Sequence, residues 1–445
     1  MAHALLRRSP AAAAAGRERI GVLDPPLAVE AVVATVERAE PEAPQRVEMV
    51  IVRGVSAARL IPAPSWQSGC GSSRPAAAAR RQANRLRKPF GAWKLCGRVE
   101  AGLASGTTQG TLPWRWYSDP ELLRQEQERI FRCGWQYAGP VEHAAEPGDF
   151  FTCSVGDLPV VVTRDRGGDL HALLNVCRHR GSIVAEGRGN RETLQCRYHA
   201  WTYGLDGRLR AAPRSREPGF GIDGIALREL AVERWGPLLF VHADPDAPPL
   251  AETLGPLPEL LAGAGIDLER LRFHHRSEFE LACNWKIAIE NYLECYHCAV
   301  AHPGFSAVVD VSPDAYRLET HELGSSQFGP SKHGDGPVEG QFHWLWPVTK
   351  VYALPGPPNL AAGPVVPLGP ERTLGFLDYF FPEGVPASEV AELLAFDDQV
   401  GLEDRVLVES VQAGVRSGLI EEGQLLPESE RLLAHFQQLV REALA

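Results

Sequence analysis

Beyond about residue 110 the spacing of apolar residues changes period several times along the chain, and each change marks an element. TLPWRWYSDPELLRQEQERIFRCGWQYAG sets Leu122, Leu123, Ile130 and Phe131 at helical steps. Ser118 or Asp119 can cap that helix and Pro120 stands at its first position, which predicts one helix leading into Trp135. From Pro147 the period falls to two. GDFFTCSVGDLPVVVTRD and DLHALLNVC read as short strands broken at Gly156-Asp157 and Gly167-Gly168, with a further hairpin at Asp206-Gly207 and a last strand in WGPLLFVHADP near residue 245. Pro245 to Pro258 is Pro-rich and reads as a linker. The helical period returns with Trp285, Ala288, Ile289, Tyr292 and Tyr296, predicting a helix from Asn284 to Cys298 that ends near Val300, and again over 396–418.

The N-terminal hundred residues have a different character. They are Ala-, Pro- and Arg-rich, with 16 Lys+Arg against 8 Asp+Glu, whereas the remainder holds 29 against 48 within a net charge of -11. The expectation for 1–110 is a disordered extension or an over-extended start of the reading frame. An acidic body excludes nucleic acid or an anionic membrane as the main partner and suits a small-molecule enzyme. The nine cysteines are odd in number and scattered, so reduced thiols plus metal ligands, in a reducing cytoplasm, are expected. No apolar run reaches the roughly 18–20 residues of a membrane span.

Two constellations carry chemistry. In Cys177-x-His179 and Cys196-x-x-His199, 16 residues separate one Cys/His pair from the other, in β-domain loops that Gly181, Gly187 and Gly189 free for close approach. Two thiolates and two imidazoles suit a structural zinc or a 2Fe-2S cluster. The second is CNWKIAIENYLECYHCAVAHPGF, where Glu290, Glu294 and His297 fall on one side of the predicted helix. Pro303 pushes His302 out of helical geometry and lets it swing back toward His297. Two histidines and a carboxylate with open positions are what non-haem iron(II) oxygenases use. In 396–418, Asp404 precedes Leu407, Val408, Val411 and Val415 at +3, +4, +7 and +11, which puts it on the buried face, where a carboxylate needs a cation. Asp397, Asp398 and Glu403 are alternatives by the same argument. Phe342, Trp344, Trp346 and Tyr352 offer ring faces for a cationic ligand or the walls of an apolar ring pocket.

CRHRG, CRYHAWTYGLDGRL, NWKxxxEN, the ExxH pair Glu294/His297 with His302, and a C-terminal acidic helix follow in the order of the Rieske non-haem iron oxygenase α subunits, which 112–440 resembles. The resemblance implies an α+β fold: a helix and small all-β Rieske domain over 111–245, joined to a larger catalytic domain over 246–445 with an antiparallel sheet flanked by helices. It implies that Cys177, His179, Cys196 and His199 bind a 2Fe-2S cluster, that His297, His302 and Asp404 bind mononuclear Fe(II), and that Glu294 bridges the two centres between subunits of a homotrimer. Glu at that bridge, where ring-hydroxylating members have Asp, is similar to the choline, carnitine and glycine betaine oxygenases. Ala200 departs from the Gly that commonly follows the YH pair. The implied activity is a terminal oxygenase acting with O2 on a quaternary ammonium compound, with hydroxylation or cis-dihydroxylation of an aromatic ring as one alternative and a Rieske electron carrier as another. No G-x-G-x-x-G follows a strand, so NAD(P)H enters only through a separate ferredoxin or flavin reductase.

Overall fold

The computed structural model describes residues 109–445 apart from 216 and 335–338 and, further upstream, three antiparallel strand segments, Gly21–Val22, Val32–Val36 and Val47–Ile51. Gln109 and Gly110, at the end of the span expected to be unstructured, pair with Gln424 and Leu425; apart from these and the three segments, the expectation over 1–110 lies outside the described residues. Helix α1 (Pro120–Arg129) forms where its signals place it: Asp119 accepts from the N–H groups of Glu121 and Leu122, and Pro120 occupies the first position. Ile130 and Phe131 beyond it are fully buried.

The β domain is a seven-stranded antiparallel sheet in the order Gln136–Pro140, Leu238–His242, Glu229–Trp235, Leu170–Leu174, Leu158–Arg164, Asp149–Val155, Arg188–Asn190. A second, three-stranded sheet (Thr193–Gln195, Thr202–Gly204, Leu209–Ala211) carries one of the Cys/His loops. The Pro-rich stretch expected to be a linker is instead structured. It holds α2 (Leu250–Leu254) and α3 (Leu257–Gly263), and Leu250, Leu254, Leu257 and Leu261 pack with Tyr137, Phe240, Val351 and Phe380. Prolines at helix starts made those short helices look like breaks.

A second seven-stranded antiparallel sheet organises the C-terminal domain: Leu271–Leu281, Arg372–Pro382, Leu360–Gly369, Thr349–Ala353, Gly340–Leu345, Gly324–Gly329, Arg317–His321. The two domains share polar contacts as well as the apolar core just named. Tyr137 of the first donates to Asp378 of the second at 2.7 Å, and Arg276 donates to both oxygens of the same carboxylate at 2.7 Å.

Helix α4 (Trp285–Tyr292) is pinned to the rest of the chain by its own polar residues. Asn284 caps it by accepting from the Lys286 N–H at 3.0 Å. Glu126 of α1 accepts from the Trp285 indole at 2.8 Å and from the Lys286 ammonium at 2.6 Å, a buried pair whose charges and lone pairs are satisfied. Glu290 accepts from the Tyr117 hydroxyl and the Gln437 amide, both at 2.8 Å, so it does not share a side with Glu294 and His297. After α5 (Cys298–Ala301) and α6 (Pro303–Val308), the long helix α7 (Ala387–Val415) and α8 (Arg431–Leu444) close the domain. Among the described residues no helix is long and apolar enough to cross a membrane.

Candidate metal centres

The helix expected to run to Val300 stops at Tyr292. Glu294 is the cause: its carboxylate accepts from the backbone N–H groups of Tyr296 at 2.6 Å and His297 at 3.2 Å. A side chain that satisfies those donors replaces the helical carbonyls they would otherwise need. The same carboxylate bonds Nδ1 of His297. Pro303 at the start of α6 keeps His302 out of helical geometry, at φ -121° and ψ 74°, as its position predicts. Cys295 and Cys298, expected as free thiols, form a disulfide that brackets His297; Cys133, Cys153, Cys177, Cys196 and Cys283 are free.

Asp404 comes from the middle of α7. The buried partners on its helix are Val408, Gln412 and Val415, while Val411 is exposed. His297 Nε2 and His302 Nε2 lie 3.1 Å apart, and Asp404 Oδ1 is 3.5 Å from the first and 3.0 Å from the second. One ligand atom from each of the three residues falls within 4.8 Å of the others. Each imidazole has its other nitrogen engaged by a carboxylate. Glu294 holds Nδ1 of His297, and Glu403 accepts from Nδ1 of His302 at 2.8 Å. Nδ1–H donation fixes the tautomer and turns both Nε2 lone pairs inward. Asn291 donates to Asp404 Oδ1 at 3.0 Å and steadies the third group.

Two inward lone pairs and a carboxylate at these distances demand a positive charge at their centre. Burial works against a charged His297, but Asp404 and Glu294 outweigh it and push the group up to about 9. For His302, burial is again outweighed, by Asp404 and Glu403, and its pKa is raised. Asp404 is held well below the usual carboxylate range, because bonds to His297, His302 and Asn291 overcome its desolvation. A divalent cation meets the same demand, so the donor set fits an iron(II) site. Asp397, an alternative by sequence, is otherwise occupied: Tyr352 and Tyr379 both donate to it at 2.5 Å.

The other constellation is built from two loops with one hydrogen-bond pattern. Cys177 receives the Gly181 N–H on its carbonyl at 3.0 Å and gives its own N–H to Ser182 at 2.8 Å; Cys196 repeats this with Ala200 at 3.0 Å and Trp201 at 2.9 Å. The fourth residue after each Cys has positive φ, 77° at Gly181 and 57° at Ala200. Both cysteines are buried, and the imidazoles of His179 and His199 lie exposed side by side with centroids 4.6 Å apart. Burial disfavours a thiolate at Cys196, yet the N–H groups of Tyr198 and His199 and contacts from Cys177 and Ser182 hold its pKa below the ordinary value. The Tyr203 hydroxyl lies 3.2 Å from Cys177 Sγ. Sulfur atoms surrounded by donors, with two accessible imidazoles opposite, fit a 2Fe-2S cluster of mixed ligation.

A cavity of about 400 Å³ opens beside His297, His302 and Asp404, with walls that include Tyr292, Phe305, Phe342, Tyr352 and Tyr379. Trp344 and Trp346, grouped with these aromatics by sequence, are not in it. They pack edge-on and tilted against Phe436 of α8 at 5.3 Å and 6.4 Å. Period two does put Phe342 and Trp344 on one sheet face, but α8, from the far end of the chain, covers the Trp344 part.

A β domain with paired Cys/His loops and a second domain with a two-histidine, one-carboxylate centre describe a two-part oxygenase. The Rieske [2Fe-2S] domain family matches residues 134–231, and the ring hydroxylating alpha subunit (catalytic domain) family matches 268–445. The chain belongs to the Rieske non-haem iron oxygenases as a terminal oxygenase component that takes its electrons from a partner. It is 34% identical over 348 residues to the chloroplastic choline monooxygenase of Beta vulgaris, covering 75% of this chain and 77% of that one. It is 31% identical to the carnitine monooxygenase oxygenase subunit of Acinetobacter pittii, covering 75% and 94%. A crystal structure of a quaternary ammonium Rieske monooxygenase in complex with L-carnitine superposes with a TM-score of 0.68 at 30% identity, covering 76% of this chain and 96% of that one.

Proposed function

We propose that this chain hydroxylates a quaternary ammonium compound, most simply at a carbon bonded to the cationic nitrogen. The observation that carries the proposal is the cavity wall. Tyr352, Tyr379 and Phe342 line one space, and the Asp397 carboxylate accepts from the two tyrosine hydroxyls. Ring faces attract a trimethylammonium that no hydrogen-bond donor could hold, and a buried carboxylate adds attraction. The similarity to choline and carnitine monooxygenases supports the same reading.

In this proposal Cys177, His179, Cys196 and His199 hold the cluster, and His297, His302 and Asp404 hold the iron. When bound, the cluster passes single electrons and the iron(II) activates O2. The chain's own residues do the rest. Glu294 and Glu403 fix the imidazoles, Asn291 holds Asp404, and the aromatic wall orients the substrate and excludes water. O2, two electrons and two protons give one hydroxyl on the substrate and one water. A hydroxylated N-methyl carbon then loses its C–N bond, releasing formaldehyde and a tertiary amine.

Glu294 is the electron bridge, and the cluster it serves belongs to a neighbouring copy in a homotrimer. Large apolar side chains stand exposed at both ends this requires: Ile183, Tyr198 and Phe220 around the Cys/His loops, and Tyr296 and Val300 beside Glu294. The reductant is NAD(P)H acting through a ferredoxin or flavin reductase, in the cytoplasm. The test is O2 uptake with a generic reductase, comparing carnitine, glycine betaine and choline with benzoate. Uptake coupled to an amine and an aldehyde is the expected result; a cis-diol or phenol from the aromatic substrate alone overturns the proposal.

A further inference from the structure

The described part of the chain holds three lysines, and two of them have partners. Lys286 pairs with Glu126 at 2.6 Å, and Lys332 donates to the carbonyl of Ser306 at 2.7 Å. Lys350 has neither a hydrogen bond nor a carboxylate within ion-pair distance among the described residues. Its Nζ stands over the rings of Phe279 and Tyr292, at 5.4 and 5.3 Å from their centroids, on the wall of the cavity beside His297, His302 and Asp404. Strand Thr349–Ala353 also carries Tyr352, two residues on and therefore on the same face about 6.6 Å away.

An ammonium withdrawn from water without a counter-charge is costly, and ring faces compensate only in part. Burial lowers the pKa of Lys350, and the attraction of Asp397 and Asp404 opposes this without forming a direct pair. Asp397 accepts from two tyrosine hydroxyls on one oxygen and makes no direct pair with Lys350. Among the described residues no carboxylate of the cavity lining pairs directly with Lys350, and a ligand can bring one that does.

We propose that Lys350 is the carboxylate subsite of this cavity and selects zwitterionic substrates, in which a quaternary ammonium and a carboxylate are separated by a few bonds, over amino alcohols such as choline. The proposal rests on the quaternary-ammonium reading above and narrows it. The ammonium lies against the Tyr352 and Tyr379 side of the cavity and the carboxylate on Lys350, all three of which line the same space. Lys350 thus acts as a specificity-determining residue and leaves the metal groups untouched.

The test compares glycine betaine, carnitine and γ-butyrobetaine with choline, by kcat/KM with a generic reductase and by calorimetric Kd. In wild-type protein the carboxylate compounds bind more tightly than choline. In Lys350→Met the carboxylate-to-choline ratio falls roughly 10- to 100-fold, the loss expected for a hydrogen bond to a charged group. The change appears in KM and Kd rather than kcat, and Lys350→Arg keeps part of the ratio. Equal binding of choline and the carboxylate compounds by wild-type protein overturns the inference while leaving the quaternary-ammonium reading in place. A Lys350→Met ratio within twofold of wild type, at an unchanged thermal midpoint, does the same. The wild-type comparison decides even if both variants fail to fold. If no quaternary ammonium compound binds or turns over, both proposals fall.

Discussion

Glu403 accepts from Nδ1 of His302 at 2.8 Å from the position immediately before Asp404, so one turn of α7 supplies both a carboxylate facing the candidate iron site and the carboxylate that orients one of its histidines. Glu403 is itself steadied by the Gln399 amide at 2.8 Å.

Removing that support has a defined consequence. In Glu403→Ala the His302 ring loses its orientation and the fixed tautomer, and affinity for Fe(II), or for Co(II) as a spectroscopic substitute, drops about 10- to 100-fold while the cluster absorbance stays unchanged. Metal titration of the depleted protein reads this directly. An affinity equal to wild type would show that packing alone orients His302.

Much of this site is legible in sequence because its constraints are local. The Cys/His loops repeat within 23 residues, from Cys177 to His199, and Pro303 states where His302 must leave the helix. Asp404 is legible through Val408 and Val415, although the apolar Val411 on which the same argument leaned is exposed. The break at Leu293 was hidden, since no Gly or Pro marks it and the cause is the Glu294 side chain bonding its own neighbours. The alternation that groups Trp344 and Trp346 with the cavity does not say that α8, more than eighty residues on, covers that face. Lys350 is illegible for the opposite reason: in sequence it is one lysine two residues from a tyrosine, and its lack of a polar partner among the described residues exists only in three dimensions.

Ala200 stands at φ 57°, where its counterpart in the first loop is a glycine at φ 77°. The left-handed region costs a residue with a Cβ roughly 1–2 kcal/mol that glycine does not spend. Ala200→Gly is therefore expected to stabilise the β domain by about 1 kcal/mol, once the added freedom of glycine in the unfolded chain is subtracted. Slower loss of the cluster's visible absorbance during guanidinium unfolding would show it. A faster loss would mean that the Ala200 methyl makes a contact worth more than the strain.

Glu290 is enclosed by Tyr117, Gln437 and α4, and burial pushes its pKa up to about 7 against the lowering effect of the Tyr117 and Gln437 hydrogen bonds. A carboxyl raised in the folded state stabilises while protonated, so its contribution is complete below the unfolded value near 4.5 and is lost as the pH rises toward 7. The full swing is on the order of 3 kcal/mol. In Glu290→Gln the side-chain oxygen still accepts from Tyr117 and Gln437, and the titration is gone. Denaturant midpoints at pH 5 and pH 8 should differ less in the variant than in wild type, with the variant the more stable of the two at pH 8. A variant with an unaltered pH profile would place the ionisation elsewhere.

Glu294 performs two tasks that a glutamine cannot combine. One oxygen accepts from the Tyr296 and His297 N–H groups and the other bonds Nδ1 of His297. An amide that keeps its oxygen on the backbone turns its NH2 toward Nδ1, which reverses the tautomer and removes the Nε2 lone pair from the iron site. An amide flipped the other way frees the two backbone donors and loosens the turn. Glu294→Gln is thus expected to lower substrate-dependent O2 uptake about 10- to 100-fold even where iron is restored by excess Fe(II). Glu294→Asp, one methylene shorter but still a double acceptor, is expected to fall between the two. The cluster should still be reduced by dithionite in both variants, and its reoxidation by O2 in the presence of substrate, followed in a single turnover, should slow in the same order. Reoxidation at the wild-type rate in Glu294→Gln would remove Glu294 from the electron path and leave it only the shaping of the turn.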